Sequence, residues 1–230
     1  MAVERFVRRV CAGYRLPYFT VTPTFSVCGE HGYLAGEVAA VVFAQGCNFR
    51  CPFCHNGSLL PMATDGAALL PAASILEVLA KRRPLLDGVV VSGGEPTLQE
   101  GLPAFLEGLK GMGFATKLDT NGGRPGVLAT LFRDRLVDFV AMDVKAPLVL
   151  YARLAGQEVD AGAICESIRV VAESGVSYEF RTTFVPKMLT KTDLAEIRAL
   201  VPRGSPWRIQ PFRPEHALDP RLRLTNGERV

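Results

Sequence analysis

Short apolar runs rich in β-branched residues recur along this chain, and between them lie stretches whose apolar residues return every three or four positions. Val38 to Ala44 (VAAVVFA) suits a strand buried on both faces, a second such run follows at 87–91, and further strands are expected at 114–118, 137–142, 176–184 and 207–210. Helical stripes separate them. Ile75, Leu76, Val78 and Leu79 form one, stopped by Pro84; Leu102, Phe105, Leu106 and Leu109 form the next, closed by Gly111 and Gly113. A short helix is expected at 126–132, another through Ile164, Ile168 and Val171, and a last at 193–200, where Thr190 and Asp193 stand at capping-box spacing. About six β/α units result. Right-handed crossovers between them give a parallel sheet, either open and doubly wound or curled into a full or partial barrel.

At 230 residues, 48 % of them apolar, the chain can bury a full core within one domain. Its formal net charge of +3 is small and its basic residues alternate with acidic ones, so no nucleic-acid partner is expected. No apolar run approaches the ~20 residues of a membrane span, and Glu4, Arg5, Arg8 and Arg9 near the start precede no apolar stretch. A cytoplasmic protein with no membrane partner is the expectation. Six cysteines are too few and too unevenly placed for a secreted disulfide framework. Three of them fall within eight positions, which in a reducing compartment signals metal or redox chemistry.

Every polar cluster falls where an apolar run ends. The cysteine loop follows the first run, Ser92-Gly93-Gly94-Glu95-Pro96 the second, Asp119-Thr120-Asn121-Gly122 the third and Asp143-Val144-Lys145 the fourth. The carboxyl ends of parallel strands share one face, where active sites are built, so these four loops are expected to converge. In the segment Gln45 to Asn56, three thiolates at spacing C-x3-C-x2-C can wrap an iron–sulfur cube and leave one iron open. A structural zinc site would want a fourth ligand; His55 is the nearest candidate, but it directly follows Cys54, and adjacent side chains seldom both turn inward. Taken singly, the other clusters have plainer readings. Gly93-Gly94 suits a tight turn, Asn121-Gly122 suits turn chemistry, and Asp143 and Lys145 point the same way on an extended segment and can form a salt bridge. Cys165, beside Ile164 and Ile168, is expected to pack in the core. Cys11 and Cys28 have no cluster spacing, so a second cluster is not expected, and His31 and His216 are expected in solvated loops.

The arrangement C-x3-C-x-aromatic-C, with Phe53 at the aromatic position, resembles the signature of the radical S-adenosylmethionine (SAM) superfamily. Together GCNFRCPFCHN, VSGGEPTLQ, LDTNG and MDVK are similar to the short activating proteins of anaerobic ribonucleoside-triphosphate reductase, relatives of the pyruvate formate-lyase activating enzymes. The resemblance runs from about Val38 to Phe212. It implies an α/β fold, a partial (β/α)6 TIM-type barrel of parallel strands at 38–212, flanked by an irregular lead-in at 1–37 and a tail at 213–230. It further implies a [4Fe-4S] cluster on Cys47, Cys51 and Cys54, its open iron chelated by the amino nitrogen and carboxylate of SAM. Phe53, His55 and Asn56 would sit beside the adenine, and Gly93, Gly94 and Glu95 would meet the methionine ammonium. Asp119, Thr120 and Asp143 match positions that bind a monovalent cation near the cofactor carboxylate, while Lys145 and Arg181 would bind the carboxylate and ribose side. Some relatives place a histidine near the ribose after the last strand; this chain has Gln210-Pro211-Phe212-Arg213, so either Gln210 or Arg213 takes that role or the contact is absent.

The activity so implied is reductive cleavage of SAM to a 5′-deoxyadenosyl radical, which takes hydrogen from a glycine of a partner enzyme, foremost anaerobic ribonucleoside-triphosphate reductase. A reduced flavodoxin or ferredoxin would supply the electron, and no catalytic side chain beyond the cluster and SAM is expected. Between the cysteine loop and the C-terminus there is no large insertion to close over a small molecule, which suits a docked loop of a protein substrate. Two other readings stand: a compact radical SAM enzyme that makes a 7-deazaguanine precursor, and a non-catalytic iron–sulfur or zinc protein.

Overall fold

The structure, a computed structural model, describes residues 18–20, 26–27, 38–62 and 69–223. Among these residues one sheet carries nine strands: β1 (Tyr18–Thr20), β2 (Ser26–Val27), β3 (Val38–Ala44), β4 (Leu70–Pro71), β5 (Gly88–Gly93), β6 (Ala115–Thr120), β7 (Phe139–Asp143), β8 (Ser177–Phe184) and β9 (Trp207–Pro211). Six of them, in the order β3-β5-β6-β7-β8-β9, are parallel neighbours. Six helices accompany the sheet: α1 (Ala72–Arg82), α2 (Leu102–Gly111), α3 (Pro125–Arg133), α4 (Tyr151–Ala155), α5 (Ala161–Glu173) and α6 (Lys191–Leu200). This is the α/β alternation that the sequence predicts, with six parallel strands in the order of the chain. None of the described helices is long and apolar enough to cross a membrane.

The helices form where apolar stripes can be buried. Ile75, Leu76 and Leu79 of α1, Leu102, Phe105, Leu106 and Leu109 of α2, and Ile164, Ile168 and Val171 of α5 are all buried against the sheet, where they meet Val89, Val91, Leu118, Val140, Met142 and Phe180. Burying one such side chain contributes roughly 1.5–3 kcal/mol, so these stripes fix which helix face turns inward. At the start of α6 the Thr190 hydroxyl accepts from the Asp193 N–H at 3.2 Å, and the Asp193 carboxylate accepts from the Thr190 N–H at 2.7 Å. The expected capping box is formed.

Two expectations need correction. Cys165 is exposed, because along α5 the buried positions are 164, 167, 168 and 171, and residue 165 lies about 100° round the helix from 164. The lead-in is not wholly irregular: β1 and β2 pair antiparallel with β3, and β4 pairs with β1. Strands of two or three residues leave no periodicity to read. Cys11, Cys28 and His31 lie outside the described residues, while His216 is exposed at the end of a 3₁₀ turn, as expected.

Candidate active site

Register brings the strand ends together. Ala44 stands opposite Gly93, Val91 opposite Leu118, Thr120 opposite Met142, Asp143 opposite Arg181, and Thr183 opposite Gln210. Above these ends opens a cavity of about 390 Å³, a size suited to a small molecule. Cys47, Cys51, Phe53, Cys54, His55, Asn56, Gly93, Gly94, Glu95, Asp119, Thr120, Asp143, Lys145 and Arg181 all line it, so the cluster ligands and SAM contacts implied by the resemblance reach one cavity.

The cysteine loop is held from three sides. Gly46 N–H donates to the Leu59 carbonyl at 2.8 Å, Cys47 N–H to Leu60 at 3.2 Å, and Arg50 N–H to Ala155 at the end of α4 at 2.7 Å. The chain at Gly156 passes so close that a Cβ there would stand 2.0 Å from the Arg50 carbonyl oxygen, and its φ of +72° also favours glycine. Phe49 packs edge-on against Tyr151. The β5 loop is equally tight: a Cβ on Gly93 would lie 2.4 Å from the Ala44 nitrogen, and one on Gly94 2.1 Å from the Gly46 carbonyl oxygen. Side-chain-free residues are what let this loop lie directly on the cysteine loop.

Glu95 is fully buried, and its carboxylate ties the β5 loop to the end of β6 and the loop that follows it. Oε1 accepts from the Thr97 N–H at 3.1 Å, the Thr97 hydroxyl at 2.5 Å and the Thr120 hydroxyl at 2.8 Å, and Oε2 accepts from the Asn121 N–H at 2.7 Å. Burial holds its pKa above the usual carboxylate range, with these bonds as a partial offset. Asn121 itself donates through Nδ2 to Asn48 Oδ1 at 2.8 Å, and the Gly122 carbonyl accepts from the buried Ser167 hydroxyl of α5 at 2.6 Å.

Alternate residues of the middle strands put a charged set on the opposite side of the cavity. Arg181 bridges two carboxylates, with Nε 3.0 Å from Asp143 Oδ1 and Nη1 3.4 Å from Asp119 Oδ1. Lys145 Nζ lies 3.4 Å from Asp143 Oδ2 and faces the Phe53 ring at 5.8 Å. Deeper, the buried Lys117 reaches within 3.8 Å of Asp119, whose other oxygen accepts from the Ser92 hydroxyl at 3.1 Å. Burial works against the charge of Arg181, but Asp119 and Asp143 outweigh it and hold the guanidinium ionised. Burial likewise opposes the Lys145 charge, and Cys51 and Asp143 outweigh it. Asp119 Oδ1 is buried and accepts no hydrogen bond, held only by its ion pairs to Arg181 and Lys117.

These donors fit a multi-iron cluster. Burial pushes the Cys47 thiol up to about 11 and raises the Cys51 thiol too, so that it takes metal to hold them as thiolates at neutral pH. Among the described residues no three His, Cys, Asp or Glu side chains converge tightly enough to hold one metal ion. Cluster thiolates bind different irons and need not converge on a point. His55 stacks on Phe212, its ring centroid 5.9 Å away, at the exposed mouth of the cavity. Of the two candidates expected after the last strand, Gln210 lies within β9 and lines the cavity, whereas Arg213 follows β9, is exposed and does not. Lys117, Thr183 and Tyr151 join the site or its walls without having been singled out from the sequence, and Ser92 and Asn121 were named only as members of their loops. Lys117 and Asp119 do share a strand face by their spacing, a signal that was available.

The family model of the Radical SAM superfamily matches residues 41–201, and that of anaerobic ribonucleoside-triphosphate reductase matches residues 1–63. A protein of Methanocaldococcus jannaschii, provisionally named a glycyl-radical enzyme activating enzyme, is 34 % identical over 189 residues, 80 % of this chain and 76 % of that protein. The 7-carboxy-7-deazaguanine synthase of Hyperthermus butylicus is 33 % identical over 124 residues, 54 % of this chain and about half (51 %) of the relative. The crystal structure of QueE from Escherichia coli superposes with a TM-score of 0.56 at 17 % identity, covering 92 % of this chain and 88 % of that one, a likeness of fold.

Proposed function

This chain belongs to the radical SAM superfamily, an enzyme family that works with a [4Fe-4S] cluster and SAM, and from that premise we propose that it generates a glycyl radical on a partner enzyme, anaerobic ribonucleoside-triphosphate reductase. When bound, the reduced cluster and SAM supply the 5′-deoxyadenosyl radical that removes hydrogen from a glycine of the partner. Cys47, Cys51 and Cys54 hold the cluster, and the protein's remaining task is to orient SAM. Phe53, His55 and Asn56 line the adenine side. The bare backbone of Gly93 and Gly94 and the acceptor capacity left on Glu95 receive the methionine ammonium. Lys145 and Arg181 hold the carboxylate and ribose end, with Gln210 in the histidine's place. Asp119, Thr120 and Asp143 are the positions for a monovalent cation, although Arg181 already lies between the two aspartates. Flavodoxin or ferredoxin is the proposed reductant.

The observation that carries this reading is the convergence of three thiols and four strand-end loops on one cavity. The choice of partner is supported by the reductase match at residues 1–63, most of which precedes the region matched by the radical SAM model. Two pieces of that stretch, β1 and β2, pair with β3, the strand that leads into the cysteine loop. The likeness to a 7-carboxy-7-deazaguanine synthase favours a second reading, a small-molecule substrate. The test is anaerobic. The full chain is reconstituted with iron and sulfide, reduced with dithionite and given SAM, alone or with the reductase. We expect 5′-deoxyadenosine from the wild type and none from Cys51→Ala, and a glycyl doublet in electron paramagnetic resonance (EPR) only with the reductase. A reduced, intact cluster that yields no 5′-deoxyadenosine under either condition sinks the proposal; product without a glycyl signal turns it toward the small-molecule reading.

A further inference from the structure

Asn121 is held at its backbone N–H and at both side-chain polar atoms. Its backbone N–H donates to Glu95 Oε2 at 2.7 Å, its Oδ1 accepts from the Gly123 N–H at 2.9 Å, and its Nδ2 donates to Asn48 Oδ1 at 2.8 Å. The bond from Gly123 fixes which end of the amide is oxygen. Nδ2 is therefore the end that faces Cys47, 3.9 Å from the sulfur. A second N–H, that of Phe49, meets the same sulfur at 3.3 Å. Asn121 is only 5 % exposed, so water does not screen this contact. Gly123 belongs to the same device, because a Cβ there would stand 2.7 Å from Asn48 Nδ2 and 3.0 Å from Asn121 Oδ1 and would push the two amides apart.

We propose that Asn121 is a positioning residue that sets the reduction potential of the iron–sulfur cluster, through an N–H···S hydrogen bond to Cys47. The inference rests on the reading that Cys47, Cys51 and Cys54 hold a cluster. A donor on a ligand sulfur draws electron density from it and favours the more negative, reduced state, so such bonds raise the potential. Because two other bonds fix the orientation of this amide, it cannot rotate away when the cluster's charge changes.

The test compares the wild type with Asn121→Asp and Asn121→Ser. Both variants keep an oxygen near the Gly123 N–H; the first puts a carboxylate beside the sulfur, and the second is too short to reach it. Each full-length protein is reconstituted, its iron and sulfide are counted, and the cluster is titrated against redox mediators in the absence of SAM with EPR detection. At the wild-type midpoint, the ratio of reduced to oxidised cluster is expected to fall about tenfold in Asn121→Asp, equivalent to ~59 mV for one electron, and by a smaller factor in Asn121→Ser. Side-chain ¹⁵N-asparagine in the wild type should show a nitrogen coupling to the reduced cluster that Asn121→Ser removes. Should Asn121→Asp fail to hold a cluster, Asn121→Ser and the nitrogen coupling decide. Unchanged potentials with wild-type iron content, or no such coupling, overturn the role of Asn121 alone. A wild type that takes up no cluster overturns the reading beneath it as well.

Discussion

Replacing Gly94 by alanine tests whether the β5 loop and the cysteine loop really form one rigid body. The added Cβ would stand 2.1 Å from the Gly46 carbonyl oxygen, 2.7 Å from the Gly46 carbonyl carbon and 2.9 Å from the Leu59 carbonyl oxygen. All three are backbone atoms, which cannot swing aside as a side chain can. The loops must part by about 1 Å, and the bonds at stake are Glu95 N–H to Gly46 at 2.8 Å and Gly46 N–H to Leu59 at 2.8 Å. Overpacking costs roughly 1–3 kcal/mol and each weakened bond about 1 kcal/mol, partly offset by the lower entropy of an unfolded chain with alanine. A net loss of about 2–4 kcal/mol follows, or a Tm lower by roughly 5–15 °C in a chain of this size. A shift of that size at Gly46 also moves Cys47, so 5′-deoxyadenosine formation should fall by about 10²-fold. Thermal melting of the metal-free protein and the anaerobic product assay measure the two effects separately. Gly126→Ala is the control: its Cβ meets nothing within 4 Å near the start of α3, and it should raise stability by about 0.5–1 kcal/mol. If Gly94→Ala melts within a degree or two of the wild type and takes up iron normally, the close packing of the two loops does not hold the site together.

Asp138→Asn should destabilise the fold by about 1 kcal/mol at neutral pH, because Asp138 accepts from Lys110 at 2.6 Å and from the Thr116 N–H at 2.7 Å and is partly exposed. Burial alone would raise its pKa, but Lys110 and the Thr116 N–H hold it below the usual 3.8. A depressed acid stabilises above its unfolded pKa, so the gap between wild type and variant should be full above pH 3.8 and close as the pH falls further; a gap that widens in acid would refute the assignment. Thr190→Ala removes the capping box of α6 and should cost ~1 kcal/mol in a urea titration while SAM cleavage stays at the wild-type rate.

The six parallel strands were legible because β3 and β5 are apolar runs long enough to read, because helical stripes alternate with the others, and because polar residues cluster after each of the first four. Cys47, Cys51 and Cys54 were legible from their spacing alone. Arg181 was harder, since one charged residue on a strand can face either way; only its register opposite Asp143 turns it into the bridge between two carboxylates. Glu95 was expected to meet a ligand, yet most of its acceptor capacity is used within the protein, which no spacing rule reveals. Asn121 sat in plain view within Asp119-Thr120-Asn121-Gly122, but its meeting with Cys47 spans 74 positions and arises only when β3, β5 and β6 stand side by side. The edge strands β1, β2 and β4 were too short to leave a pattern.

The bond from Ser167 to the Gly122 carbonyl gives the outer layer of the fold a grip on the innermost loop. Ser167 lies on α5, whose exposed face carries Arg169 clasped between Glu166 and Glu173. A lineage could therefore adjust the poise of its radical chemistry by altering how that helix rides on the sheet, leaving every residue that touches the cavity as it is. Searches for functional variation confined to the cavity wall would pass over such changes, and α5 is where to look for them.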